Sequence, residues 1–150
     1  MGEIPYMYEE LESLLNESYL SKVQKANVAY YVLRDHFEEE VGEEKAQDYM
    51  DAFCLVFLAS DGIISNTEVA FFTDFSIQSY KREALIERYQ RLKKNNDTIE
   101  LRKIVDKGSQ EVKEAAILLA GLCLVCDKEL TEREKEDYAA FRKILDKNSK

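Results

Sequence analysis

A chain of 150 residues, 45% hydrophobic and 34% charged, is long enough for one globular domain that folds without staples. One Pro and five Gly are too few for a many-turned sandwich or barrel, no apolar run reaches the ~18 residues of a membrane span, and Met1–Tyr8 lacks the regions of a secretory signal. Of the net charge of −9, residues 1–80 carry −12 and residues 81–150 carry +3, a balance unsuited to nonspecific binding of nucleic acid or anionic lipid.

The apolar residues recur at helical spacing along the chain. A weak first helix is predicted near Tyr8–Leu15, within an N-terminal extension of residues 1–20. Val23, Ala26, Tyr30, Leu33 and Phe37 form the stripe of the next, with Ser21 and Gln24 as a capping box and Gly42 as its stop. Ala46, Tyr49, Met50, Phe53, Val56 and Phe57 mark a helix that becomes apolar nearly all round, as a central buried helix does. Ser65 with Glu68 opens another, carrying Val69, Phe72 and Phe75. Leu85, Tyr89 and Leu92 give a further stripe, and Asp97 with Glu100 caps a short helix through Ile104 that Gly108 ends. Ser109 starts the helix of Val112, Ala116, Leu119, Leu122 and Cys123, and Thr131 with Glu134 starts the last, with Tyr138, Phe141 and Leu145. With no alternating strand in view, the fold expected is all-α: a compact bundle of seven to eight helices, residues 21–150 forming one domain.

Few residues offer chemistry. His36 is the only histidine and lies beside the core stripe, so it reads as a boundary residue rather than a zinc ligand. Cys54, Cys123 and Cys126 are an odd, sparse set, pointing to a reducing, cytoplasmic setting. The Cys123–Cys126 pair sits near a helix C-terminus, where the dipole disfavours a thiolate, so these read as small core residues. The basic stretch from Lys81 to Lys94, with Tyr80 and Tyr89, reads as a solvated face with Glu83, Glu87 and Arg91 at i,i+4 spacing. No Ser/His/Asp set, phosphate-binding glycine loop or metal cluster is present, and an enzyme is not expected.

The strongest signal is internal. Residues 53–75 align on 119–141, with Leu58 on Leu124, Asp61 on Asp127, Glu68 on Glu134 and Phe75 on Phe141. Each copy reads apolar helix, Asp, two residues, Ile or Leu, Ser or Thr, two residues, Glu, so each is a helix–turn–helix and the two suit a pseudo-twofold axis. The pattern imitates half of a calcium-binding EF-hand loop, but the first and third ligand positions would be Phe57 and Ala59, or Cys123 and Val125, which supply no oxygen side chain.

The run Leu58-Ala59-Ser60-Asp61-Gly62-Ile63-Ile64-Ser65-Asn66-Thr67-Glu68, with the looser copy Val125 to Glu134, resembles the signature of the TerB-like (tellurite resistance protein B-like) family. The resemblance runs from about Ser21 onward. It implies an all-helical fold with internal pseudo-symmetry, acidic residues of the two turns facing one another as a metal site, and a binding module of stress- or tellurite-resistance assemblies at membranes. Asp61, Glu68, Asp127 and Glu134 are then the metal-site residues, with Ca²⁺ or Mg²⁺ suited to oxygen-only ligation. Lys128 departs from the family's glycine and places an ammonium beside Asp127.

Local roles account for the same acids. Glu68 and Glu134 fit the third helical position of capping boxes with Ser65 and Thr131, and Asp61 and Asp127 fit Asx turns, although an anion at a helix C-terminus is unfavourable. Two readings stay open: a non-enzymatic binding module with an acidic cation site, or a helical adaptor that recruits a protein partner and uses the acids only as caps. Neither calls for nucleic acid or membrane insertion.

Overall fold

The computed structural model describes the backbone of residues 3–58, 64–76, 81–95, 97–126 and 131–147, and the side chains of these outside 3–8, 92–100 and 144–147. Among the described residues there are eight helices and no strand: α1 (Glu3–Leu15), α2 (Tyr19–Val41), α3 (Glu43–Leu58), α4 (Asn66–Ser76), α5 (Arg82–Asn95), α6 (Asp97–Asp106), α7 (Gln110–Val125) and α8 (Glu132–Lys147). The all-α bundle read from the periodicity is the fold observed. None of these helices is long and apolar enough to cross a membrane.

The helix boundaries follow local chemistry. Ser109 caps α7 by accepting the Val112 N–H at 3.3 Å. Gly42 ends α2 at φ 89°, ψ 158°, a region almost closed to residues with a Cβ. Its N–H reaches the Glu38 carbonyl at 3.0 Å, and its own carbonyl accepts the Ala46 N–H at 3.0 Å, so one glycine stops α2 and starts α3. The expected cap at Ser21 is corrected: α2 begins nearly one turn earlier. Ser18 is the N-cap and accepts the Ser21 N–H at 3.1 Å, while the Ser21 hydroxyl donates to Glu17 at 2.5 Å. Two serines at this spacing compete, and the cap falls at Ser18, where Tyr19 of the added turn packs edge-on against Phe71 and hydrogen bonds Asp74. The cap at Asp97 and Glu100 and the contacts of Leu92 and Leu145 lie outside the described side chains.

Helices α2, α3 and α7 pack on one another at the centre. From Leu119 to Val125 every residue of α7 is buried, and so is every residue of α3 from Met50 to Leu55. These are the two segments with apolar residues nearly all round, and such a helix needs neighbours on every side. Helix α4 covers α2, α5 and α6 cover α3, and α1 with α8 covers α7. Leu11 and Leu14 of α1 join the same core. Gly121 sets how closely α1 and α8 approach: a Cβ there would lie 3.1 Å from Leu14 Cδ1 and from Tyr138 Cε1. Arg142 of α8 closes this side, hydrogen bonding Glu10 of α1 and the Tyr138 hydroxyl.

Several polar groups inside the bundle are tied to backbone or to one another. Lys22 is 1% exposed and donates to the Val125 carbonyl at 3.1 Å, placing a cation on the negative end of α7. His36 is buried, and its Nε2 lies 2.7 Å from the Ile104 carbonyl, so that nitrogen carries the hydrogen. Cys54, Cys123 and Cys126 are buried and form no disulfide, as their apolar surroundings in the sequence imply. The contact partner of Cys123 is Cys54 on α3, and burial first, then that thiol, pushes Cys123 well above the ordinary thiol range. All three thiols should therefore react slowly with a thiol reagent at neutral pH in the native state and rapidly after denaturant is added. Fast native labelling of Cys54 or Cys123 would contradict this packing.

Candidate functional site

Two places in the fold gather groups capable of chemistry: the acidic turns singled out by the sequence, and a cleft that the helices create. In the first turn, Glu68 N–H donates to Ser65 Oγ at 3.1 Å and Ser65 N–H donates to Glu68 Oε1 at 2.7 Å. In the second, Glu134 N–H donates to Thr131 Oγ1 at 3.1 Å and Thr131 N–H donates to Glu134 Oε1 at 2.9 Å. Both are capping boxes, with the carboxylate also favoured by the positive end of the helix. Both glutamates are buried, at 6% and 7% exposure. Asp61, Asp127 and Lys128 lie outside the described residues. Among the described residues no three His, Cys, Asp or Glu side chains gather as a metal ion would require. Phe57 and Cys123, the positions an EF-hand would use as ligands, are core residues.

The cleft opens where α3, α5, α6 and α8 meet and holds about 250 Å³. Its floor is a cluster of three rings. Phe53 and Phe57, one turn apart on α3, stand 5.3 Å apart, and Phe141 of α8 meets them at 5.8 and 5.0 Å. Edge-on and tilted contacts at such distances are favourable and hold the rings in place. Tyr89 of α5 and Leu101 and Val105 of α6 form the apolar walls.

Three charged groups line the same cleft: Arg102 from α6, and Arg133 and Asp137 from α8. Arg133 and Asp137 are four residues apart and share a face of α8. Burial pushes the Asp137 carboxyl above the ordinary carboxylate range, opposed by the charge of Arg133 and helped by that of Glu136. Both guanidiniums are exposed, and among the described residues neither closes an ion pair. The arrangement can hold an apolar group on the rings and a charged or polar group at the rim.

The wall on α5 is fixed by a polar network that sequence reasoning missed. Arg88 reaches across to α3, where Nη1 hydrogen bonds Asp51 and Nη2 lies 2.8 Å from Asp48. Asp51 is 2% exposed; it also accepts from Gln47 at 2.9 Å, and Gln47 donates to the Tyr30 hydroxyl at 2.9 Å. Arg82 donates through Nε to the Ile64 carbonyl at 2.7 Å. The basic stretch is thus only in part the solvated face expected of it. Arg88 and Arg82 fasten α5 to α3 and to the segment before α4. Asp51 carried a signal, an acid inside an otherwise apolar stretch, which demands a buried partner. Arg102, Arg133 and Asp137 carried none, because surface charges become a site only when two helices bring them together.

Comparison with protein-family models, with curated proteins and with solved structures gives no significant match.

Removing Arg88 takes the cation from a buried carboxylate. Arg88→Ala should cost about 3 kcal/mol in urea unfolding, the lower end for a broken buried pair because the guanidinium is partly exposed. Arg88→Met with Asp51→Leu should recover most of that loss, since an apolar pair needs no desolvation. A loss under about 0.5 kcal/mol for Arg88→Ala would mean that the pair behaves as an ordinary surface contact.

Proposed function

We propose that this chain is a non-enzymatic helical binding module, of TerB-like design, that captures an apolar side chain of a protein partner in the cleft between α3, α5, α6 and α8. The observation that carries this reading is one cleft lined both by the nearly buried ring cluster of Phe53, Phe57 and Phe141 and by Arg102, Arg133 and Asp137, whose two guanidiniums close no ion pair among the described residues. At about 250 Å³ the cleft is smaller than the roughly 300–1,000 Å³ of drug-sized ligand sites. It suits one large side chain better than a cofactor. The TerB-like resemblance supports a partner-binding role in a cytoplasmic, stress-related assembly at a membrane. The pseudo-twofold reading is supported by matched burial, since Leu58 and Leu124, Phe72 and Tyr138, and Phe75 and Phe141 are all core pairs at the same offset.

The test uses a peptide with a central phenylalanine flanked by glutamines, titrated into ¹⁵N-labelled protein. Amide shifts should concentrate on α3, α6 and α8 around the cleft. Ala140 is exposed at its edge, so Ala140→Trp should fill the space, keep the fold and abolish the shifts. Shifts that map to another face, or that survive Ala140→Trp, would remove the cleft from this role.

A second reading is divalent-cation binding by Asp61, Glu68, Asp127 and Glu134. It is motivated by the sequence repeat that aligns Asp61 and Glu68 on Asp127 and Glu134. It stands second because each glutamate is already held by its own helix. Four converging carboxylates would repel until neutralised. Ca²⁺ or Mg²⁺ at about a hundred times its dissociation constant should then add about 2.7 kcal/mol and raise the melting temperature by about 5–10 °C. A melting temperature unmoved by both ions at tens of millimolar leaves these acids as caps.

A further inference from the structure

Resting on the cleft reading above, we infer that the partner segment is acidic: a large apolar side chain enters the cleft while carboxylates beside it in the peptide pair with Arg102 and Arg133.

The inference starts from charge placement. The chain as a whole is at −9, yet the part from residue 81 onward, which supplies α5, α6 and α8, carries a net +3. The lining of the cleft itself carries Arg102 and Arg133 against Asp137, a net +1. Arg102 and Arg133 come from different helices and border the same apolar space, and among the described residues neither is consumed by an ion pair. Three other arginines are held in ion pairs: Arg88 by Asp48 and Asp51, Arg142 by Glu10, Arg34 by Glu38. A guanidinium presents a planar fork of donors that matches a carboxylate, and two at the edge of an apolar pocket form a seat for an acidic, amphipathic segment. Rim charges of this kind govern selectivity more than total affinity.

Asp137 sharpens the assignment. It lies on the Arg133 face of α8, with its carboxyl partly desolvated in the cleft. An anionic segment is repelled by that carboxylate, whereas a cationic segment would need it. The two classes of partner therefore predict opposite effects of its removal.

The experiment compares three acetylated, amidated nonapeptides with a central phenylalanine, flanked by glutamate, glutamine or lysine, by calorimetric titration of the whole chain. The glutamate peptide should bind at least tenfold more tightly than the glutamine peptide, and the lysine peptide most weakly. Arg102→Gln with Arg133→Gln should erase the preference for glutamate while leaving the glutamine peptide bound as before. Asp137→Asn should tighten the glutamate peptide about threefold. Equal binding of the glutamate and glutamine peptides would overturn the acidic assignment while leaving the cleft as an apolar seat. So would a preference for lysine that Asp137→Asn abolishes. Decanoate binding at the cleft while all three peptides fail would overturn it in favour of a free amphipathic acid. If neither peptide nor decanoate binds, the cleft reading itself falls.

Discussion

From Leu119 to Val125 no residue of α7 reaches solvent, and most of the architecture can be traced to that requirement. A helix apolar on every side must be surrounded, and here α2, α3, α1 and α8 are its main neighbours. Gly121 lets α1 and α8 come close enough to close one side. The buried C-terminal end of the helix backbone is answered by the Lys22 ammonium on the Val125 carbonyl. A buried lysine is costly unless its charge is compensated, and a helix C-terminus compensates it through both the orphan carbonyl and the dipole.

Helix α3 obeys the same constraint with a different device. Its buried stretch contains Asp51, which no apolar helix can accept alone. The carboxylate is held by Arg88 and Gln47, and Gln47 in turn engages Tyr30 of α2. One network thus links α2, α3 and α5 and joins the acidic first half of the chain to the basic second half. The same network positions α5 as a wall of the cleft, so the stability of the core and the shape of the candidate site share residues.

The acidic turns and the cleft differ in how much of their chemistry is already spoken for. In the turns, Glu68 and Glu134 satisfy backbone donors at their helix starts, and burial keeps them in that geometry. In the cleft, the rings satisfy one another, while among the described residues the Arg102 and Arg133 guanidiniums close no ion pair. A surface that keeps apolar floor and charged rim together is suited to recognition.

Local rules were enough for the helices and most of their ends. Ser65 with Glu68, Thr131 with Glu134, Ser109 and Gly42 all act within one turn of chain, where sequence spacing is spatial distance. The nearly all-apolar end of α3 likewise marked a central helix, because such a stretch has nowhere else to go. Ser18 displaced Ser21 as a cap because two equivalent serines differ only in how far the helix can extend, which packing decides. Arg88 left its expected surface face because a buried acid on another helix offered more than water and i,i+4 neighbours. Cys123 met Cys54 rather than Cys126 because α3 and α7 pack side by side. The cleft was invisible in the sequence for the same reason. Phe53 and Phe141, Arg102 and Arg133 lie far apart in the chain, and only the packing of α3, α6 and α8 makes neighbours of them.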